Sequence, residues 1–224
     1  MNNPQTLPQT VSVTVWDWPL RLFHWLLVTA FISAYVTGKL GGNWTDWHGW
    51  SGNLILGLLV FRLVWGLIGS AHARFRNFLP GFADLRAYQA GNWQGAGHNP
   101  FGALAVLALL GLLAALVITG LYANDDIGFQ GPLTATVDKA LSDRLSGWHV
   151  WLMNPLLALV LLHIVAIAFY QVIKKTNLLA AMIHGKKTLA AGLAHAGIGA
   201  VDQRLAGIAV LIALAVVWGV NHAG

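Results

Sequence analysis

No cysteine occurs anywhere in the 224 residues. That absence removes structural disulfides, thiolate zinc sites, iron–sulfur clusters and the Cys-x-x-Cys-His attachment of c-type haem, so any metal must hang on histidine. Charge is almost as scarce: 9% of residues are Asp, Glu, Lys or Arg, against 57% hydrophobic, and the mean hydropathy is +0.63. A soluble globule of this size would have too little polar surface to cover itself, so part of the solvent must be lipid. The stretch Met1 to Thr14 lacks both an initial basic cluster and an apolar run, does not read as a cleaved signal peptide, and is expected to be a short cytoplasmic tail. The net charge of +5 is not gathered on one basic face, because the cations sit between apolar runs; membrane topology explains them and nucleic acid does not.

What is present is a series of apolar runs. Crossing the hydrocarbon core takes about 20 mostly apolar residues in a helix. Five runs qualify or come close: Trp18–Gly38, Trp50–Ser70, Phe101–Ala123, Trp148–Ile173 and the shorter Leu205–Val220, which Arg204 can lengthen by snorkelling. Tryptophans 16, 18, 44, 47, 50, 93, 148, 151 and 218 lie at or near the edges of these runs, as interfacial aromatic belts require. Arg21, Arg74, Arg76, Arg86, Lys174, Lys175, Lys186, Lys187 and Arg204 would share one side, against Lys39, Lys139 and Arg144 on the other. The basic side faces the cytoplasm by the positive-inside rule, which puts the N-terminus inside, the loop Asn124–Gly147 outside and the connector Lys174–Arg204 inside. The expectation is a multi-pass protein of the bacterial cytoplasmic (inner) membrane in contact with lipid, a single membrane domain without internal repeats.

Four of the nine histidines fall within or at the start of apolar runs: His24, His48, His149 and His163. The first run starts inside, the second and fourth outside, so His24 lies toward the cytoplasm and His48 and His149 toward the outer face. His163 follows His149 by 14 residues, roughly 21 Å deeper at 1.5 Å per residue, which is the level of His24. Fourteen steps of about 100° return to within roughly 40° of the starting azimuth, so both histidines share one face of the fourth helix. Pro155 between them can kink that helix without changing the depths. Paired by depth, His24 with His163 and His48 with His149 would each supply two axial ligands to one haem iron. Ionisable groups in a membrane are expensive and usually functional, whereas His72, His98, His184, His195 and His222 fall in loops, connectors or the terminus and read as ordinary solvated imidazoles. Arg62, 14 residues after His48, falls at the His24/His163 depth, where a haem propionate is a plausible counter-ion; Arg21, one turn before His24, could serve the same haem.

Several stretches carry a resemblance: Val15-Trp-Asp-Trp-Pro-Leu-Arg-Leu-Phe-His24-Trp25, Phe61-Arg-Leu-Val-Trp-Gly66 with Ala73-Arg-Phe75, Gly97-His-Asn-Pro-Phe-Gly102, Gly120-Leu-Tyr-Ala-Asn-Asp-Asp126 and His163-Ile-Val-Ala-Ile-Ala-Phe-Tyr170. Over about residues 12–187 the chain resembles the prokaryotic cytochrome b561 family, related to the cytochrome b subunits of nickel–iron hydrogenases and formate dehydrogenases. The resemblance implies an all-α membrane protein, a four-helix transmembrane bundle enclosing two b haems, ligated by His24, His48, His149 and His163. The C-terminal hydrophobic helix at about 205–220 is additional to the simplest four-helix members. The family further implies exchange with a quinone or quinol pool and with a periplasmic cytochrome or redox enzyme subunit, and a homodimer is compatible with it. The protein would then be an electron carrier, or a quinone-linked oxidoreductase if a quinone docks. The competing class is a histidine-dependent transporter or proton channel without haem, against which stand the lack of intramembrane Asp or Glu and of matched broken helices.

Overall fold

A computed structural model of the chain describes residues 10–192 and 197–224; His195 and residues 1–9 of the N-terminal segment lie outside the described residues. The elements run β1 (Thr10–Thr14), α1 (Trp18–Leu40), α2 (Thr45–Ile68), α3 (Phe75–Phe78), α4 (Phe82–Gln89), α5 (Pro100–Leu121), α6 (Lys139–Val172), α7 (Leu178–His184), β2 (Lys186–Ala190) and α8 (Gln203–Asn221). Five of them, α1, α2, α5, α6 and α8, are long and apolar enough to cross a membrane.

Four of the five long helices start where a side chain takes over an orphan backbone N–H; α2, preceded by Trp44, has no such side-chain cap. Asp17 accepts from Leu20 N before α1, Asn99 from Gly102 N before α5, Asp138 from Leu141 N before α6 and Asp202 from Arg204 N before α8. The Asp138 cap changes the sequence reading. It starts α6 at Lys139, nine residues before Trp148, so residues 139–147 of the segment 124–147 are helix instead of loop.

The helices pack as two antiparallel hairpins, α1 against α2 and α5 against α6, with α2 also touching α5. The extra helix α8 lies along α2, where Asn53 and Asn221 exchange amide hydrogen bonds at 3.2 and 3.0 Å. The core between helices is narrow: Phe23, Ala30, Ile55, Leu59, Leu113, Leu116, Leu152 and Leu156 are buried, while Leu161, Leu162, Ile164 and Leu211 are more than half exposed. Such outward apolar side chains are stable only against lipid, and the chain is a multi-pass membrane protein.

The expected N-terminal tail is ordered over its last part. β1 pairs antiparallel with β2 from Thr10↔Ala190 to Thr14↔Lys186. The backbone N–H groups of Val15 and Trp16 then both donate to Gly185 O. Part of the connector 174–204 is thus a helix and a strand that tie the end of α6 to the start of α1.

Candidate haem-binding site

His48, in the first turn of α2, and His149, in α6, meet inside the bundle. Their ring centroids lie 5.9 Å apart and the ring planes are at 89° to one another. The His48 Nδ1 donates to Ala34 O of α1 and the His149 Nδ1 to Leu116 O of α5, both at 2.8 Å. A carbonyl only accepts, so each Nδ1 carries the proton and each Nε2 keeps its lone pair for a metal. An imidazole nitrogen binds a transition metal at about 2 Å, so two rings on opposite sides of one iron have centres roughly 6 Å apart. The pair fits that spacing. Phe129 covers it from the loop side, with its ring 6.4 Å from His48.

Toward the ribbon end, His163 of α6 stands within electrostatic reach of His24 of α1. The His24 ring packs edge-on against Trp25 at 5.0 Å, and its Nδ1 is sealed from solvent without a hydrogen-bond partner. Arg21, one turn earlier, donates from one terminal nitrogen to Ile183 O, while its Nε is also buried and unpartnered. Orphan donors at this depth suit a group that brings acceptor oxygens, as haem propionates do, so this end fits the cofactor too.

Arg62 is buried at 2% exposure and does not snorkel to the interface. It donates to Ala73 O at 3.1 Å, lies 4.5 Å over the Phe75 ring, and is close enough to Asp17 for charge attraction. The guanidinium therefore has partners within the chain as well as any a cofactor would bring.

The sequence reading treated His98 as a solvated loop residue, and the structure corrects this. Its ring packs 4.5 Å from Trp16 and 5.0 Å from Phe78, and its Nδ1 is buried without a partner. Burial, reinforced by the charges of Arg62 and Lys187 and by His72 and His163, pushes His98 down to about 3. Lys187, which donates to Ala96 O and Gly97 O, is lowered by burial as well. The sequence signal was the Gly97-His-Asn-Pro run, where Asn99 caps α5 and also donates to the Tyr170 hydroxyl at 2.8 Å.

At the opposite end, the turn after α5 is held by Asp125, whose Oδ1 accepts from the backbone of Ile127, Gly128 and Phe129, and these bonds, Gly128 foremost, lower its carboxyl. Lys139 bridges Asp126 at 2.5 Å and Asp143 at 2.8 Å. A cavity of about 470 Å³ opens among these residues beside Phe129.

A helical membrane bundle with histidines facing one another in its interior is the architecture of a b-type cytochrome. The model of the prokaryotic cytochrome b561 family matches residues 15–185, and the chain belongs to that family. A "Probable Ni/Fe-hydrogenase B-type cytochrome subunit" from Azotobacter chroococcum mcd 1 is 25% identical over 222 aligned positions, which cover 78% of this chain and 88% of that one. No solved structure matches the chain.

Proposed function

We propose that this b-type cytochrome holds two b haems and carries electrons across the cytoplasmic membrane, between a quinone or quinol pool and a redox enzyme subunit or cytochrome at the outer face. The observation that carries the reading is the His48–His149 pair, 5.9 Å apart with both Nδ1 atoms engaged by carbonyls. Haem b, when bound, supplies a one-electron iron couple. The residues would supply ligation, spacing and electrostatics: His48 and His149 would hold the outer group, His24 and His163 the inner one, and Arg21 and Arg62 would be the counter-ions available to the inner group's carboxylates.

The orientation rests on charge. The nine flanking cations of one side include Lys186 and Lys187 of the ribbon, which joins the N-terminal strand to the connector after α6. A probable hydrogenase cytochrome subunit among the relatives makes an outer-face redox enzyme the fitting class of partner. The test is a dithionite-reduced minus oxidised spectrum of the purified protein with a pyridine haemochrome assay. Two b haems per chain are expected; one or none overturns the reading.

A further inference from the structure

The two outer histidines are seated in the same way on two different helices. The carbonyl that receives His48 belongs to Ala34, and that receiving His149 belongs to Leu116. Four residues after each stands a glycine, in Ala34-Tyr-Val-Thr-Gly38 and in Leu116-Val-Ile-Thr-Gly120. A Cβ on Gly38 would lie 2.8 Å from His48 Nδ1, and one on Gly120 would lie 2.8 Å from His149 Cε1 and 2.9 Å from its Nδ1. Real Cβ atoms essentially never approach so closely, so any other residue would force the ring to shift from its seat beside the carbonyl. The threonine before each glycine is buried and bonds backward. Thr37 Oγ1 donates to Ser33 O at 2.6 Å and to Ala34 O at 3.3 Å; Thr119 Oγ1 donates to Ala115 O and Leu116 O, both at 2.9 Å. Back-bonding of this kind bends a helix locally and aims the shared carbonyl sideways.

We propose that these two Thr-Gly pairs are matched clamps, positioning residues that fix the orientation, tautomer and basicity of His48 and His149. This rests on the reading of those histidines as ligands. An Nδ1–H bonded to a carbonyl makes Nε2 a stronger donor, which favours the oxidised iron and lowers the potential of the group it binds. The Nδ1 of His24 has no backbone carbonyl as acceptor, so the inner histidine of α1 lacks this clamp. The clamp therefore makes the outer site chemically unlike the inner one, although both use histidine alone.

The experiment is redox titration and low-temperature EPR of the purified haem-loaded protein. Gly38→Ala and Gly120→Ala should raise the potential of the outer haem and change its low-spin ferric signal, with the inner haem unmoved. Gly111→Ala, at a position of α5 with nothing within 4 Å of the added Cβ, is the control and should change neither. Where the glycine variants fail to assemble, Thr119→Val should still shift the outer haem alone, and Thr119→Ser should restore it. Two haems with unaltered outer potential in these variants, or equal shifts in both haems, overturn the clamp. A chain that keeps both haems after His48→Ala overturns the ligand reading itself, which is a separate failure.

Discussion

The indole N–H of Trp65 donates to both carboxylate oxygens of Asp17, at 3.1 and 3.3 Å, and so joins the cap of α1 to the last turn of α2. Asp17 is 2% exposed and Trp65 1%, and Ser70 Oγ and Leu20 N also bond the carboxylate. Asp17→Ala removes the cap and leaves buried donors unsatisfied, at a cost of about 1 kcal/mol for the cap and roughly 1–3 for each donor. Thermal unfolding in detergent should show a loss of about 2–5 kcal/mol, with Asp17→Asn, which keeps one acceptor oxygen, clearly milder. Equal loss for both would mean that the charge beside Arg62 matters more than the hydrogen bonds.

The two haems should be separable by mutation. His48→Ala or His149→Ala should leave about one haem per chain, and His24→Ala or His163→Ala should remove the other. Haem content and spectra of membranes expressing each variant decide this. Complementary loss is expected, and loss of both from every variant would show one interdependent site.

Arg62→Leu should lower the midpoint potential of the haem at the His24/His163 level and leave the other nearly unchanged. A nearby positive charge favours the reduced iron, and here the guanidinium is buried where screening is weak. Redox titration checks the sign; a shift confined to the haem lost with His48→Ala refutes the assignment.

His98 makes stability depend on pH on the acid side. Its folded value, about 3, lies below the ordinary 6.5 because burial and the neighbouring Arg62, Lys187, His72 and His163 disfavour the imidazolium. Below pH 6.5 the unfolded chain gains this proton while the folded chain does not. The contribution is therefore fully present above 6.5 and is lost as pH falls toward 3, at up to about tenfold in the unfolding constant per pH unit. His98→Phe, which keeps an aromatic ring between Trp16 and Phe78, should flatten that part of the curve when melting is compared at pH 7 and 5. An unchanged slope would place the acid sensitivity elsewhere.

Single cysteines introduced into this cysteine-free chain can report sidedness. A cysteine near Ile127, which is 94% exposed, should react with an impermeant thiol reagent in intact cells, and one near Lys186 should react only after lysis. The reverse pattern inverts the orientation.

The five apolar helices could be read from the sequence because lipid demands long uninterrupted apolar runs, and the pairing of His48 with His149 and of His24 with His163 because helical rise is constant. What escaped was whatever depends on partners distant in the chain. Lys139–Gly147 is too polar to announce a helix by hydropathy, and its Ser142 and Ser146 donate across the turn after α5 to Tyr122 O and Asn124 O. β1 and β2 carry no local signal for one another across four intervening spans. His98 becomes buried only when Trp16 and Phe78 close on it. The acceptors of His48 and His149 are backbone carbonyls, which no residue name reveals. Thr37-Gly38 and Thr119-Gly120 were in plain view, yet two dipeptides mean nothing until a neighbouring helix lays an imidazole on each glycine.

The ribbon of β1 and β2 also sets an order of events during synthesis. Thr10–Thr14 leaves the ribosome before any membrane-crossing helix exists, and its pairing partner emerges only after α1, α2, α5 and α6. Until then the strand presents unpaired N–H and C=O groups, an edge open to any extended chain nearby. Its closure can occur only once the four helices have been delivered with both ends on one side. A chain terminated before Lys186 would keep that edge open, so ribbon closure marks the completion of α1, α2, α5 and α6, before α8 is made.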